Sequence, residues 1–237
     1  NSLYHTFSLN YYKFKLFKKY YYSIKTHFNK KTESIKTVTE ITGINQYSTS
    51  IMFYEPETSW SLNGSFSKTI GKIKTKIKTG YRYNDYFQIV NNTQRQSKST
   101  SFKVEPSIKT LFDKFPNIEI GYKKDFTEYN NSSIIKYTND NIFSFLDYDY
   151  KDFIFSADFE HNNYQNKTDN SIKNSYINSN ASIFYQKEDN PWGFEINATN
   201  LFNTKFKQSN RQNDFIISDS KTFILPRTVM LKVIYKL

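Results

Sequence analysis

A row of cationic side chains offers the clearest chemistry in this sequence. The stretch KIKTKIKTGYRY (72–83) alternates cations with Ile, Thr or Tyr. Its cations are Lys72, Lys74, Lys76, Lys78 and Arg82. Alternate residues of a β-strand point to the same face, so a strand here places all five cations on one side. Such a row can attract an anionic small ligand, or it can solvate its face and pair with acidic neighbours, which is the more common outcome.

The sequence has few residues suited to catalysis or metal binding. Its only histidines are His5, His27 and His161, and it has no cysteine. His161 follows Asp158 and Glu160, but such neighbours are common in polar segments. No metal motif, phosphate-binding loop or nucleotide fingerprint is present in the sequence. We therefore expect no enzymatic activity, no cofactor and no metal.

The composition combines many aromatic residues with a low mean hydropathy. Aromatic residues make up 19% of the 237 residues, while the mean hydropathy is −0.72 and the net charge is +11. Disordered chains are poor in aromatics, so this chain is expected to be ordered. No apolar run approaches the roughly 18 residues of a transmembrane helix. The basic balance fits either an acidic partner or a compositional bias toward Asn, Lys, Ile, Tyr and Phe.

The elements that position the cations are predicted to be long β-strands. Apolar and polar residues alternate along most of the chain, with aromatics on one parity, which is typical of strands with one buried face. About eleven strands are predicted, longer than the roughly five to six residues usual in soluble proteins. The predicted strands are 2–16, 18–30, 58–70, 72–83, 100–112, 117–128, 134–149, 152–160, 173–187, 191–203 and 228–237.

Short turns and longer polar loops alternate between these strands. Short turns are predicted at 16–19, 69–72, 113–117, 148–152 and 188–191. Longer loops are predicted at 31–57, about 91–98, about 129–133, about 165–171 and 204–225. This alternation is typical of outer-membrane barrels, whose periplasmic turns are short and whose external loops are long. By length, loops 31–57 and 204–225 are the candidate ligand gates.

The cations decide which face would meet water in such a barrel. A lysine that faces lipid at the membrane midplane costs about 2–4 kcal/mol, so the lysine row is expected to line the lumen. The predicted fold class is therefore all-β, an antiparallel transmembrane outer-membrane β-barrel. Open sheet edges are not tolerated in hydrocarbon, and bacterial single-chain barrels have even strand counts. About eleven strands are then expected to pair with strands beyond this chain.

The C-terminal third carries a resemblance to a known family. The segments NPWGFEINATNLFN (190–203) and LPRTVMLKVIYKL (225–237) resemble the last hairpin of TonB-dependent receptor barrels, most closely the outer-membrane β-barrel family of Bacteroidetes-type bacteria. The matching positions are Asn200, Leu201, Phe202, Asn203, Pro226, Arg227 and the end of the last strand from Tyr235 to Leu237. In that family the terminal strand, usually ending in an aromatic residue, is read by the barrel-assembly machinery. Leu237 departs from this pattern.

The resemblance implies a receptor of the Gram-negative outer membrane. Residues 1–237 would form one domain, the C-terminal half of a barrel of about 22 strands, with the signal peptide and plug upstream of Asn1. The implied function is to form the wall and external gating loops for uptake of a siderophore, glycan or other nutrient. The implied partners are outer-membrane lipid, the assembly machinery and, through the upstream part, the TonB complex. The C-terminus would lie on the periplasmic side.

Two other classes remain open from the residues alone. One is a complete small outer-membrane barrel that acts as a porin or adhesin. The other is a soluble basic and aromatic β protein that binds nucleic acid, with rings stacked on bases and lysines on phosphates. The second accounts for the charge and the rings, but it requires neither strands of this length nor aromatics on one parity in nearly all of them. We therefore expect no nucleic-acid partner.

Overall fold

A computed structural model describes residues 2–42, 44–131, 133–169, 171, 173–212 and 217–236. These residues form fourteen strands, and no helix among them is long and apolar enough to cross a membrane. The strands are β1 (Leu3–Lys15), β2 (Tyr20–Thr42), β3 (Asn45–Phe53), β4 (Glu57–Ile70), β5 (Ile73–Val90), β6 (Thr93–Thr110), β7 (Asn117–Asn130), β8 (Ile134–Tyr150), β9 (Phe153–Asn166), β10 (Lys173–Gln186), β11 (Trp192–Thr199), β12 (Phe206–Gln212), β13 (Ile217–Phe223) and β14 (Thr228–Tyr235).

Twelve of these strands form one main sheet. Its order is β1-β2-β4-β5-β6-β7-β8-β9-β10-β11-β14, and β3 pairs with β2 beside this path. Neighbours along the path are antiparallel, and β12 and β13 form a separate antiparallel hairpin. Among the described residues, β1 and β14 are the two ends of the path and do not pair with each other. The predicted all-β antiparallel class is confirmed, and closure into a barrel is not observed.

The strand count differs from the predicted number of about eleven. The eleven predicted strands correspond to the path of the main sheet, and the three additional strands lie in predicted loops. Residues 31–57 are not a loop, because β2 continues to Thr42 and β3 returns antiparallel to it. This segment is rich in threonine, and β-branched threonine fits a pleated sheet even where apolar alternation is weak.

Two other predicted loops are also more regular than expected. The predicted loop at about 91–98 is wrong, because Asn91 and Asn92 alone connect β5 to β6, with φ of 47° and 60°. Two successive positive φ angles are typical of a tight hairpin turn. The predicted loop 204–225 contains the β12–β13 hairpin. The five predicted short turns are confirmed, and four of them contain a residue with positive φ: Lys19, Gly71, Lys151 and Asp189.

The register of the strands separates the side chains onto two faces. We call the side that carries Lys74, Lys76, Lys78 and Arg82 the polar face. Directly paired residues share a face, so Tyr21, Ser67, Lys76, Ser107 and Gly121 form one row across β2, β4, β5, β6 and β7. We call the opposite side the apolar face. It carries Phe66 and Ile77 at adjacent positions of β4 and β5.

The described residues of the main sheet bury few hydrophobic side chains. Among the described residues, the buried hydrophobic side chains are Val38, Phe53 and Ile135. Large apolar side chains are instead exposed across the apolar face. They include Phe7, Leu9, Ile24, Trp60, Phe66, Ile77, Phe102, Ile120, Phe126, Ile142, Ile183, Phe194, Ile196, Val229, Leu231 and Val233.

Candidate ligand-binding surface on the polar face

The structure brings four of the five predicted cations onto one strand face. Lys74, Lys76, Lys78 and Arg82 alternate along the polar face of β5. Their neighbours on β4 are Thr69, Ser67, Ser65 and Ser61 in the same order. Lys72 lies in the turn before β5, where it pairs with the exposed carboxylate of Asp113. Lys72 therefore belongs to the rim of the sheet and not to the row.

Acidic partners neutralise only part of the row. Lys78 Nζ lies 2.5 Å from Glu105 Oε1, and the same carboxylate accepts a 2.9 Å ion pair from Lys103. Among the described residues, Lys74, Lys76 and Arg82 have no ion pair or side-chain hydrogen bond. Lys74 also faces another cation, because it is paired across the strands with Lys109. Net positive charge therefore remains at the middle of the row.

The lysines form one wall of an open depression of about 830 Å³. Lys74, Lys76 and Lys78 line one side, and Ser65, Ser67 and Thr69 of β4 form its base. The aromatic rings of Phe14 and Tyr21, which pair directly across β1 and β2, line the other side. Leu16, Phe17, Lys19 and Tyr20 complete the lining around the first turn.

The depression exists because small side chains separate two rows of large ones. β4 lies between β2 and β5, and its polar face carries Ser61, Asn63, Ser65, Ser67 and Thr69. Strands lie about 4.8 Å apart, so β2 and β5 are separated by about 9.6 Å. The serine run was visible in the sequence. The rings opposite the lysines were not predicted, because strand order alone does not show which far segment becomes the facing wall.

Toward β8–β10 the polar face changes from cations to amides. Asn141 Nδ2 donates to Asn162 Oδ1 at 2.6 Å, and Asn180 Nδ2 donates to Asp158 Oδ2 at 3.0 Å. Tyr137 and Tyr164 stack nearby, with ring centroids 5.6 Å apart. These groups are engaged with one another and carry little positive charge. The cationic depression is therefore confined to the β1–β5 side.

The histidines do not assemble a catalytic or metal-binding group. His27 Nδ1 lies 2.7 Å from Ser8 Oγ, and His161 Nε2 lies 2.9 Å from Ser175 Oγ. Asp158 and Glu160 share the polar face, whereas the alternation of β9 puts His161 on the apolar face. Within the described ranges, no cluster of three or more His, Asp or Glu side chains is placed to hold a metal ion.

The segment that carries the family resemblance contains a buried asparagine at its centre. Asn200 has a positive φ of 52° and is 4% exposed. Its Nδ2 donates to the carbonyl oxygens of Thr204 at 2.9 Å and Leu225 at 2.8 Å, and its Oδ1 accepts from Thr204 N at 2.7 Å. Asn200 therefore joins both ends of the segment that contains the β12–β13 hairpin. Asn203 Oδ1 accepts from Arg227 N at 3.3 Å beside it.

The terminal-strand residues are only partly within the described structure. Tyr235 packs against Trp192 of β11, with ring centroids 4.8 Å apart. Leu237 lies outside the described residues. Their predicted role in barrel assembly therefore stays a prediction.

The connection between β9 and β10 is ordered by local hydrogen bonds. Asn166 Oδ1 accepts from the backbone N–H groups of Thr168 at 2.8 Å and Asp169 at 3.0 Å. The hydroxyl and the backbone N–H of Ser171 both donate to Asp169 Oδ1, which lowers the pKa of that carboxyl. The hydrogen bonds among its described residues are those of Asx-type turns.

Comparisons with protein-family models, curated proteins and solved structures found no match to this chain. What the chain does must therefore be argued from its two faces and from the depression between β2 and β5.

Proposed function

We propose that this chain forms part of the wall of an outer-membrane β-barrel of the TonB-dependent receptor type, with its polar face toward an aqueous lumen. Its role would be the uptake of a nutrient through the outer membrane, with the hairpins at the long-loop end acting as external gates. It would act as a receptor and not as an enzyme. The short turns and the end of β14 would lie on the periplasmic side.

The observation that carries this proposal is the exposure of the apolar face. Monomeric soluble proteins rarely expose apolar patches beyond a few hundred Å². Here the exposed apolar side chains run from Phe7 on β1 to Val233 on β14, across every strand of the main path. A surface this continuous requires an apolar solvent or a very large partner. Lipid supplies that solvent on one face while water hydrates the other.

The height of the apolar surface fits a bilayer. On β5 the apolar face carries no charge from Ile73 to Tyr83, and Asp85 is the first charged residue beyond it. That stretch spans about 33 Å along the strand at about 3.3 Å per residue. With a strand tilt of about 45° its height is about 23 Å, close to the roughly 25 Å band of such barrels.

Most charged side chains of the apolar face lie toward the strand ends. Lys98 pairs with Asp85 at 3.9 Å, and Lys136 pairs with Glu128 at 3.1 Å, both toward the long-loop end. Lys124 on β7 lies farther into the band, and its charge is neutralised by Asp140 at 2.8 Å. Neutralised pairs are the form in which ionisable groups are tolerated within membranes.

Aromatic rings gather where the lower membrane boundary would lie. At the short-turn end of the apolar face, rings contact one another from β8 to β14. The pairs and their centroid separations are Tyr148–Phe155 (6.0 Å), Phe153–Phe155 (6.0 Å), Phe153–Tyr185 (4.8 Å), Tyr185–Phe194 (6.5 Å) and Trp192–Tyr235 (4.8 Å). Aromatic girdles at the interfaces are typical of outer-membrane barrels.

The two unpaired sheet edges support a wall that other strands complete. Unpaired backbone groups cost several kcal/mol each in hydrocarbon, so neither β1 nor β14 can remain an edge there. The backbone groups of both edges would be paired if β1 and β14 paired with each other, and also if each paired with a further strand. The eleven-strand path favours further strands, because bacterial single-chain barrels have even counts.

Heat-modifiable migration tests the proposal. The chain is expressed behind a signal peptide for export to the outer membrane, and isolated outer membranes are run on a gel with and without boiling. A folded barrel is expected to migrate faster without boiling, and it should need detergent to remain monomeric after extraction. A chain that stays folded and monomeric in buffer without detergent would overturn the proposal.

A further inference from the structure

We infer that the depression between β2 and β5 binds a small amphipathic anion, namely an aromatic ring that carries a phosphate, sulfate or carboxylate. The inference rests on the proposed function only in requiring the polar face to be open to water. It assigns a site and a ligand class that the lysine row alone does not define.

The charge of the site selects an anion. Within the described residues Lys74 and Lys76 form no ion pair, the carboxylates of Glu119 and Glu105 act on Lys76 only from beyond ion-pair distance, and Lys78 shares Glu105 with Lys103. Lys74 and Lys76 extend from alternate positions of one strand, so their ammonium groups can approach the same anionic group from two sides. An oxyanion held by two such groups gains charge-assisted hydrogen bonds.

The opposite wall selects a ring. Phe14 is 61% exposed although it lies on the polar face, and it is paired across the strands with Tyr21. Exposure of the apolar Phe14 ring to water is unfavourable, and a flat apolar group of a ligand that packs on the ring would remove both surfaces from water. The base of the depression, made by Ser65 and Ser67, supplies hydroxyls as hydrogen-bond donors or acceptors.

The dimensions favour a flat ring over a bulkier apolar group. Tyr21 and the lysines belong to β2 and β5, whose backbones are about 9.6 Å apart, and Phe14 of β1 extends the ring wall one strand farther out. The side chains of Tyr21 and Lys76 both project into this gap, above Ser67 between them in the same row. An aromatic ring fits edge-on between such walls, with its anionic substituent toward the lysines.

The test compares three probes on the folded full chain: phenyl phosphate, inorganic phosphate and benzyl alcohol. Isothermal titration calorimetry is run in detergent, or in buffer if the chain folds without detergent. Phenyl phosphate is expected to bind saturably and at least tenfold more tightly than inorganic phosphate, and benzyl alcohol is expected not to bind. Equal affinity for the two phosphates would overturn the aromatic part of the site.

Substitutions in the lysine wall and in the ring wall measure the contribution of each wall to ligand affinity. The double variant Lys74→Gln/Lys76→Gln is expected to lower the affinity for phenyl phosphate at least tenfold. Phe14→Ser is expected to lower it several-fold without changing the affinity for inorganic phosphate. Lys31→Gln is the matched control, because Lys31 lies on the same face about 33 Å along β2 from Tyr21.

The failure of this inference is distinguishable from failure of the proposed function. Heat-modifiable migration of each variant reports whether the barrel has formed. If the folded wild-type chain binds phenyl phosphate no better than the folded double variant does, the inferred ligand site is wrong, and the barrel proposal is unaffected. If the chain folds in buffer and the double variant still loses binding, the site stands although the membrane assignment is wrong.

Discussion

The main sheet has two regions whose apolar side chains differ in exposure. We call the β2–β3 hairpin from Ser34 to Phe53, with the adjoining ends of β4 and β5, the extension, and the rest of the main sheet the body. In the body, apolar side chains such as Ile77 and Phe102 are exposed, and the backbone ladders hold the strands together. In the extension, where β2 pairs in parallel with the end of β5, Val38 and Phe53 are only 6% and 5% exposed. Phe53 contacts Phe87 there, with ring centroids 5.4 Å apart.

Among the ion pairs of the described residues, the one with the least exposed side chains lies in the extension. Glu57 pairs with Lys36, and its Oε1 also accepts from Phe87 N at 2.8 Å. Lys36 Nζ donates to the carbonyl oxygen of Phe87 at 2.9 Å. The extension therefore has a small hydrophobic cluster and a hydrogen-bonded ion pair, although Ser34 Oγ and Gln88 Oε1 are buried there without a hydrogen-bond partner. The same alternating pattern thus leaves apolar side chains exposed where no element covers them and buries them where a hairpin does.

The largest effect is expected from Lys36→Met in the extension. The substitution leaves Glu57 buried without its cation, which costs about 3–5 kcal/mol locally. Hydrogen exchange should speed up at the amides of 34–42 and 45–53 and stay unchanged in β9. The matched control is Lys72→Met, because the Lys72–Asp113 pair is exposed and such pairs contribute about 0–1 kcal/mol. Equal effects of the two substitutions would remove the contrast between extension and body.

A lysine placed on either face of the body tests what each face meets. Ile77→Lys is expected to destabilise the chain by about 2–4 kcal/mol in bilayers, because the new cation would face lipid. Asn178→Lys lies on the polar face opposite Glu160 and should leave stability within about 0.5 kcal/mol. Denaturant unfolding in lipid vesicles measures both. If the two substitutions cost the same, the faces do not meet different solvents.

Gly121→Ala tests packing on the polar face of the body. The ring of Phe143 lies directly over Gly121, so a methyl group there collides with it, at an expected cost of about 1–3 kcal/mol. Gly80→Ala is the control, because its added carbon would meet the end of the flexible Asn63 side chain at 3.2 Å and Lys103 Cβ at an ordinary contact distance of 3.9 Å. Unfolding midpoints of the two variants measure the difference. Gly121→Ala/Phe143→Ala should recover the part of the loss that the collision causes.

The smallest effect is expected at Asn200, where the segment that contains the β12–β13 hairpin joins the main sheet. Asn200→Gly keeps the positive φ accessible but removes the side-chain bonds to Thr204 and Leu225, so it should cost about 1–2 kcal/mol. Hydrogen exchange at Lys207 and Thr222 should rise while β8 and β9 stay protected. Asn200→Ala should cost more, because it also strains the backbone. If exchange of the hairpin is unchanged in both variants, Asn200 does not hold it.

Much of the fold was predictable because alternation is a local property. The lysine row on β5 and the serines on β4 each share a face through the two-residue period of a strand, whatever their neighbours are. The short turns followed from residues that tolerate positive φ or end a strand, such as Gly71 and Asp189. The extension was missed because Thr37 and Thr39 weaken the apolar signal without weakening the strand.

The sequence by itself determined that this chain is made of long strands in which polar and apolar side chains alternate, with the β5 cations on one face, because strand period is set by backbone geometry. Only the tertiary structure decided that Tyr21 faces Lys76 across Ser67, with Phe14 on the far side of Tyr21, since strand order and register bring together residues far apart in the chain. It also decided that Lys78 is neutralised by Glu105 while Lys74 and Lys76 are not, because pairing of charges depends on the neighbouring strand.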